Sequence, residues 1–453
     1  MIRFSTYRSL KWRSAALAAV CVLACTDPVP TAPKIDLRLA RGGAGGGPTV
    51  KSTNPSSAAV STTLSVQVFG SGFEPGSRAV WALNGDTTGT VTKVKTNSTT
   101  FVSSTELIAN ITIESDASFA LYDVVVITLL GKKGIGIELF EVTQATDLGT
   151  LGGADSEALG VNNFTQVVGW SDLPSGEDRA FLWTKVGGMQ NLGTLGGNSS
   201  RAYAINDNGQ VVGSSVTASG ETHAFLWTAT DGMRDLGTLG GVRSEAYAIS
   251  ENGAIVGTSY ISGGGPSAAF FWSAGVMEYL GVLYSQARGV NNAAQVVGWT
   301  SEPSSRALLW TKSGGAWTSE ELVVPNASSS YAYAINEPGQ VIGGFMSVSG
   351  GRRGFSWTRA SGAMELPPIP RGKENWAYAL SDAGRIGGWG NDKSGLSNPH
   401  PTIWEPKADG WTVRVISGTS VADSWVSAVN DNHQAVGVRR NVTGDRATLW
   451  DVP

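Results

Sequence analysis

From residue 143 onward, apolar and polar positions alternate in short runs separated by glycine-rich turns, and one run order returns seven times. In the second copy, Ala202-Tyr203-Ala204-Ile205-Asn206 is followed by Asp207-Asn208-Gly209 and then Gln210-Val211-Val212-Gly213. His223-Ala224-Phe225-Leu226-Trp227 and Gly232-Met233-Arg234-Asp235-Leu236 complete it. Period-two patterning over so few residues predicts strands. The Asn-Gly pair between the first two runs predicts a tight hairpin whose central residues both need positive φ. Ala202 and Ala204 share one face of their strand, and Tyr203 and Ile205 share the other. The same division recurs at Ala246/Ala248 and Ala332/Ala334. Small residues on one face and large ones on the other allow neighbouring sheets to interlock.

Trp183, Trp227, Trp272, Trp310, Trp357, Trp404 and Trp450 mark the seven copies, at spacings of 44, 45, 38, 47, 47 and 46 residues. Four antiparallel strands in each such repeat predict one propeller blade, because a solenoid coil would be shorter. Thr146 to Gly153 forms a fourth-strand equivalent ahead of the first copy, whereas the last copy ends at Trp450-Asp451-Val452-Pro453. The early strand is expected to complete the last blade and close a seven-bladed ring, which would bury both edges. Each buried Trp would remove about 150–250 Å² from water, on the order of 4–6 kcal/mol.

Residues 48–142 carry a different pattern. Alternating runs such as Leu64 to Phe69, Leu107 to Ile113 and Tyr122 to Leu129 are separated by turn clusters. About seven strands in that span predict a β-sandwich. The segment Val68-Phe69-Gly70-Ser71-Gly72-Phe73, with Gly76, Ser77 and Val80, resembles the start of immunoglobulin-like IPT/TIG domains. The expected fold class is therefore all-β, a seven-bladed β-propeller over 143–453 preceded by an immunoglobulin-like sandwich.

The triplet His223-Ala224-Phe225 and the run Asp-Leu-Gly-Thr-Leu-Gly-Gly at 147–153 and 235–241, with Asn191 opening the same run at 191–197, resemble the bacterial extracellular HAF-repeat family. The likeness is strong in the first three copies and fades afterwards, where Tyr279 to Leu283 and Leu366 to Pro370 replace that run. It implies a secreted or surface location and brings no catalytic residues.

The N-terminus supports export. Arg3, Arg8, Lys11 and Arg13 precede an apolar run from Ala15 to Ala24, too short to span a bilayer. Val22-Leu23-Ala24-Cys25 resembles a bacterial lipobox. That resemblance implies a signal peptide over 1–24, lipidation of Cys25, and a Pro/Gly-rich tether over 25–47. Thr26 after the cysteine implies an outer-membrane or cell-surface address, with the membrane reached through the lipid anchor only. Cys21 and Cys25 are the only cysteines, so the exported domains hold no disulfide and no Cys-ligated metal.

Composition narrows the function classes. Net charge is −4, and the four cations of the first 25 residues leave −8 on the remainder. An acidic chain without a basic stripe argues against nucleic acid. Three His residues give little material for a metal site or a Ser-His-Asp triad. The Leu-Gly-Gly runs lack the Lys and Ser/Thr of a phosphate-binding loop and predict turns. The stretch Asn206 to Gly209 lacks the bidentate acid of a calcium loop. No cofactor and no metal are expected, and the protein is expected to be a monomer.

Positions that recur in every copy predict architecture. These are the Trp series, the basic residue four places before it (Arg179, His223, Arg306, Arg353, His400 and Arg446, with Ala268 the exception), and the Asn or Ser ending each first strand. The last two are expected to pair and tie strands together. Trp170, Trp299 and Trp389 fall in non-adjacent copies and are expected to be filler. The residue that opens each first strand varies instead: Glu157, Arg201, Glu245, Gln286, Tyr331, Trp376 and Trp425. One arc of a channel mouth would be charged and the other aromatic, suited to a glycan or protein ligand. The leading expectation is a non-enzymatic, surface-anchored binding or scaffold protein. Replacing Trp376 or Trp425 should then lower affinity with little effect on stability. A polysaccharide hydrolase or lyase is the alternative, with Glu157 and Glu245 as acid and base and Arg201 on a substrate carboxylate. A spacer or adhesin making contact through the sandwich is the third.

Overall fold

A computed structural model describes residues 47–452 except 55–56, 61, 84–92, 115–116, 119, 371, 392–398, 409, 417–423 and 442–443. The expected signal peptide, Cys25 and the tether up to residue 46 lie outside the described residues.

The first region pairs strands Thr49–Asn54, Thr62–Ser71, Glu106–Ile113 and Val94–Ser103, in that order, into one sheet. Arg78–Leu83 and Leu121–Ile127 form a second sheet with the first part of Lys133–Asp147. Alternation sets the buried faces: in Glu106–Ile113 every second residue is buried. Val66, Leu107 and Ile111 from one sheet meet Trp81, Val124 and Phe140 from the other in a shared core. Trp81 and Phe140 pack edge to face, with ring centroids 5.8 Å apart.

Lys133–Asp147 does not end with that sheet. Its last residues pair antiparallel with Gly444–Asp451, placing Ala145 opposite Trp450 and Thr146 opposite Leu449. The expected partnership between the early strand and the last Trp-bearing strand is therefore present.

The remainder forms seven four-stranded antiparallel sheets among the described residues, the second and third joined by a single parallel bridge from Thr222 to Arg243. Their first strands are Ser156–Val161, Gly196–Ile205, Gly240–Ile249, Ser285–Val290, Ala327–Ile335, Glu374–Leu380 and Trp425–Val429. Each core is shared between neighbours. Val168 and Leu182 of sheet one meet Val211 and Phe225 of sheet two, and Phe181 of sheet one meets Val436 and Leu449 of sheet seven. Trp310, Trp404 and Trp450 are fully buried, whereas Trp357 is only half-buried beneath Arg359.

The hairpin after each first strand differs from expectation. Only the fourth residue, counted from the Asn or Ser, takes positive φ: Thr165, Gly209, Gly253, Ala294, Gly339, Gly384 and His433. Gly209 N donates to Asn206 O at 3.0 Å and Asn206 N to Gln210 O at 3.1 Å. That is a three-residue loop closed by one left-handed residue, so Asn208 needs no positive φ.

Recurring polar residues join sheet to sheet, which corrects the expected Arg–Asn pairing. At the hairpin end, Asn162 Nδ2 donates to Asn206 O at 3.0 Å, Asn206 to Ser250 O at 3.0 Å, Asn291 to Asn336 O at 3.2 Å, Asn336 to Ser381 O at 3.2 Å, and Asn430 to Asn162 O at 2.9 Å. At the opposite end, Arg179, Arg306, Arg353 and Arg446 reach main-chain carbonyls of the next sheet: Asn198, Ser328, Lys373 and Ala154. His223 turns instead to Asp235, 2.8 Å away. The two sets never meet because they occupy opposite ends of the strands.

Candidate functional site

The seven first strands bring their last apolar residues, Val161, Ile205, Ile249, Val290, Ile335, Leu380 and Val429, to the wall of one cavity of about 180 Å³. This cavity opens at the hairpin end, where Asp207, Glu251, Glu337, Asp382 and Asp431 line it with Asn163. The acids form a latch. Asn163 N donates to Asp207 at 2.8 Å, Asp207 N to Glu251 at 3.0 Å, and Asn252 N to Asn292 at 2.8 Å. Asn292 N then donates to Glu337 at 3.0 Å, Glu337 N to Asp382 at 2.9 Å, Ala383 N to Asp431 at 2.9 Å, and Asp431 N to Asn163 at 3.1 Å. The last bond returns to sheet one. Burial, reinforced by Asp207, Asp382 and Glu337, pushes the Glu251 carboxyl upward.

The variable opening positions sit at the other end of the same strands. A glycine of the second strand underlies each one. A Cβ on Gly169, Gly213, Gly257, Gly298, Gly343, Gly388 or Gly437 would lie 1.9–2.0 Å from the carbonyl oxygen of the facing opening residue. Only glycine permits that approach. The residue before each opening position is a buried Ser or Asn. Ser200 shows its use, with Oγ accepting Ala180 N at 2.9 Å and donating to Gly193 O at 2.6 Å.

Glu157 is half-buried, and Trp170 Nε1, opposite it across the strand pair, donates to it at 3.1 Å. Burial raises its carboxyl pKa and outweighs the opposing pull of Trp170, Arg201 and a hydrogen bond with Trp425. Arg201 is exposed, lies 4.4 Å over the Trp170 ring, and pairs through Nε with Asp178 at 2.7 Å. Glu245 is buried, with Arg243 Nε at 3.0 Å, the Tyr247 hydroxyl at 3.0 Å and the Tyr203 hydroxyl at 3.5 Å. Gln286 accepts from Arg288 Nη2 at 2.9 Å.

Two members of the aromatic arc, Tyr331 and Trp376, are in ring contact. Tyr331 stands edge-on to Trp299 at 5.4 Å and lies 5.9 Å from Trp376. Trp376 is buried at 7% exposure and covers Gly344, where a Cβ would strike its ring at 2.3 Å. Its expected role as a presented surface residue is therefore corrected: the missing side chain at Gly344 makes room for the indole. Trp425 remains half-exposed beside Glu157.

A second layer, two residues further along each first strand, was missed from sequence. It comprises Leu159, Tyr203, Tyr247, Arg288, Tyr333, Tyr378 and Ser427, all half-buried. Tyr203 and Tyr247 rings lie 5.4 Å apart, and Tyr333 and Tyr378 rings 5.3 Å apart. Burial raises these phenols, Tyr333 to about 12. Trp170 and Trp299 are more than filler, whereas Trp389 is buried as expected of filler. They stand opposite Glu157, Gln286 and Trp376, and the first two touch charged groups of this layer or the opening ring. Their signal was their shared register, two places beyond each Val-Val or Ile-Gly pair.

Among the described residues, no group of three or more His, Cys, Asp or Glu side chains is arranged to hold a metal ion.

No protein-family model matches the chain, and no curated protein is detectably related to it. Solved structures show partial likeness. TolB from Acinetobacter baumannii matches with TM-score 0.39 and 11% identity over 56% of this chain and 64% of that one. A serine-to-alanine mutant of puromycin hydrolase complexed with PGG gives 0.46 and 14% over 64% of this chain and 50% of that one. A triple-arginine mutant of AofleA from Arthrobotrys oligospora gives 0.30 and 13% over 66% and 83%. The chain thus spans less than two-thirds of the first two. Such scores and identities carry no activity across. The propeller-like, all-β description rests on the sheet order and the contacts between sheets.

Proposed function

We propose that the seven sheets are blades of a closed β-propeller of HAF-repeat type behind an immunoglobulin-like domain. In this reading the protein is exported and lipid-anchored at Cys25. It works as a non-enzymatic binding or scaffold protein whose glycan or protein ligand meets the opening end of the channel. One observation carries the reading. The recurring Ser, Asn and Arg positions mostly hold one sheet to the next, while the opening positions vary and still form contacting aromatic and charged groups around that end. Variation concentrated at one end of the strands, where side chains contact one another, supports recognition.

The test is a glycan array probed with the unlipidated protein, followed by titration of Trp425→Ala and Arg201→Ala. Both variants should weaken binding at least about tenfold while the melting temperature stays near wild type. Wild-type affinity in both would move the site elsewhere.

A polysaccharide-cleaving reading draws on the raised Glu157 carboxyl, the state a general acid needs. Against it, Glu245 is held by Arg243 and two tyrosines, leaving its carboxylate engaged. Reducing-sugar release abolished by Glu157→Gln would favour it.

A further inference from the structure

We propose that the ligand of the opening end is a glycan bearing uronic-acid carboxylates, and that Arg288 is the group that receives the carboxylate. This deepens the binding reading above and rests on it.

Arg288 occupies the second layer in sheet four, where sheets two, three, five and six present tyrosine. Its guanidinium lies 3.7 Å from the Tyr247 ring centroid and 5.0 Å from that of Trp299. One nitrogen, Nη2, donates to Gln286 at 2.9 Å. Nε is sealed from solvent and has no acceptor. Neighbouring cations differ: Arg201 is paired with Asp178 and Arg243 with Glu245. No described carboxylate forms an ion pair with Arg288.

A half-buried cation without a counter-ion loses hydration and gets nothing ionic in return. The sealed Nε–H adds to that cost and lies beyond a ligand's reach, so a ligand meets only the terminal guanidinium nitrogens. Aromatic faces recover part of the cost, since guanidinium stacks well on Tyr and Trp. They offer no acceptor in the guanidinium plane, however. A carboxylate does, and its two oxygens match the fork of guanidinium nitrogens.

The surroundings favour a sugar over a peptide as the carrier. Trp299 lies beside Arg288, with Tyr331 edge-on to it, and aromatic ring faces stack on the apolar side of a pyranose. Tyr247 and Tyr203 present hydroxyls to Glu245 on the other side, a polar wall suited to sugar hydroxyls. Aliphatic side chains that would seat a peptide are missing from the described second layer except at Leu159.

The hairpin end carries Asp207, Glu251, Glu337, Asp382 and Asp431, and these carboxylates repel an anion that approaches from that side.

The experiment is calorimetric titration of the wild-type protein with tetragalacturonate, a hyaluronan tetrasaccharide, fully methyl-esterified tetragalacturonate, and a tetrapeptide with a free C-terminal carboxylate. At least one acidic sugar should bind about tenfold or more tighter than the ester. That preference should disappear in Arg288→Gln, survive in part in Arg288→Lys, and weaken with added salt. Equal binding of acid and ester, still sensitive to Trp425→Ala, overturns this inference and leaves the broader binding reading standing. Binding of no sugar overturns it as well. Tetrapeptide binding that alone depends on Arg288 would transfer the carboxylate to a protein ligand and overturn the glycan assignment. The acid-to-ester comparison needs no substitution, so misfolding of a variant cannot mask the result.

Discussion

Asn430 Nδ2 donates to the carbonyl oxygen of Asn162 at 2.9 Å, although 268 residues separate them. Both groups are buried, and the same bond joins sheets one and two, two and three, four and five, and five and six. Asn430 also accepts Gln434 N at 3.0 Å and donates to Gln434 Oε1 at 2.9 Å. Asn430→Ala strands several buried groups at the seam between the last sheet and the first. Denaturant unfolding should register a loss of about 1–3 kcal/mol.

Sheet six contains a natural knockout of one link. At the position where the other sheets carry Ala or Gly, it has Pro401, which lacks an N–H. Ser424 Oγ is correspondingly buried without a hydrogen-bond partner. Ser424→Ala should therefore change stability by less than about 0.5 kcal/mol. Ser200→Ala, which removes an acceptor from Ala180 N and a donor to Gly193 O, should cost about 1–3 kcal/mol. Comparable losses in the two variants would contradict the assignment of Pro401 as the cause.

Trp376→Ala removes a buried indole that fills the space over Gly344. Thermal unfolding should show a loss of about 3–5 kcal/mol. Adding back bulk at the other partner, in Gly344→Ala, should also destabilise the wild type, because the new Cβ meets the ring. Unchanged melting temperatures in both would mean that the indole is presented to solvent.

Glu157 gives a pH signature. A carboxyl whose pKa is raised on folding binds more protons in the folded than in the unfolded chain. Its contribution is therefore full below the ordinary value of 4.5 and declines as pH rises through the raised value. Glu157→Gln keeps an acceptor for Trp170 and removes the buried charge. Its melting temperature relative to wild type should rise from pH 4 to pH 8. A difference that stays flat across that range would remove burial as the cause of the shift.

The repeat was legible because Trp and Val-Val-Gly return at regular spacing, and each has one physical cause. The Trp fills a core in six of the copies, and the glycine admits the carbonyl of the opening residue. Pairing of Thr146 with Leu449 was legible from the spare fourth strand. The hairpin was misread in detail because Thr165, Ala294 and His433 adopt the same left-handed conformation as Gly209, which no composition rule marks. The Ser ring escaped notice because serine is common in turns and its use appears only once two sheets meet. Tyr203, Tyr247 and Tyr333 read as the large face of a core strand. The break at Ala287-Arg288-Gly289, where arginine replaces that tyrosine, was the available sign that this layer is not a purely apolar core face.

Closure of the ring is tested most directly by distances between spin labels on hairpin tips, with Cys21 and Cys25 replaced by Ser. Phe164, Asn208 and Asn432 hold equivalent exposed positions in sheets one, two and seven. Double electron–electron resonance on Phe164→Cys/Asn208→Cys and on Phe164→Cys/Asn432→Cys should give the same narrow distance, because sheet seven neighbours sheet one as sheet two does. A longer or broad distribution for the 164/432 pair alone would show an open array and contradict the account.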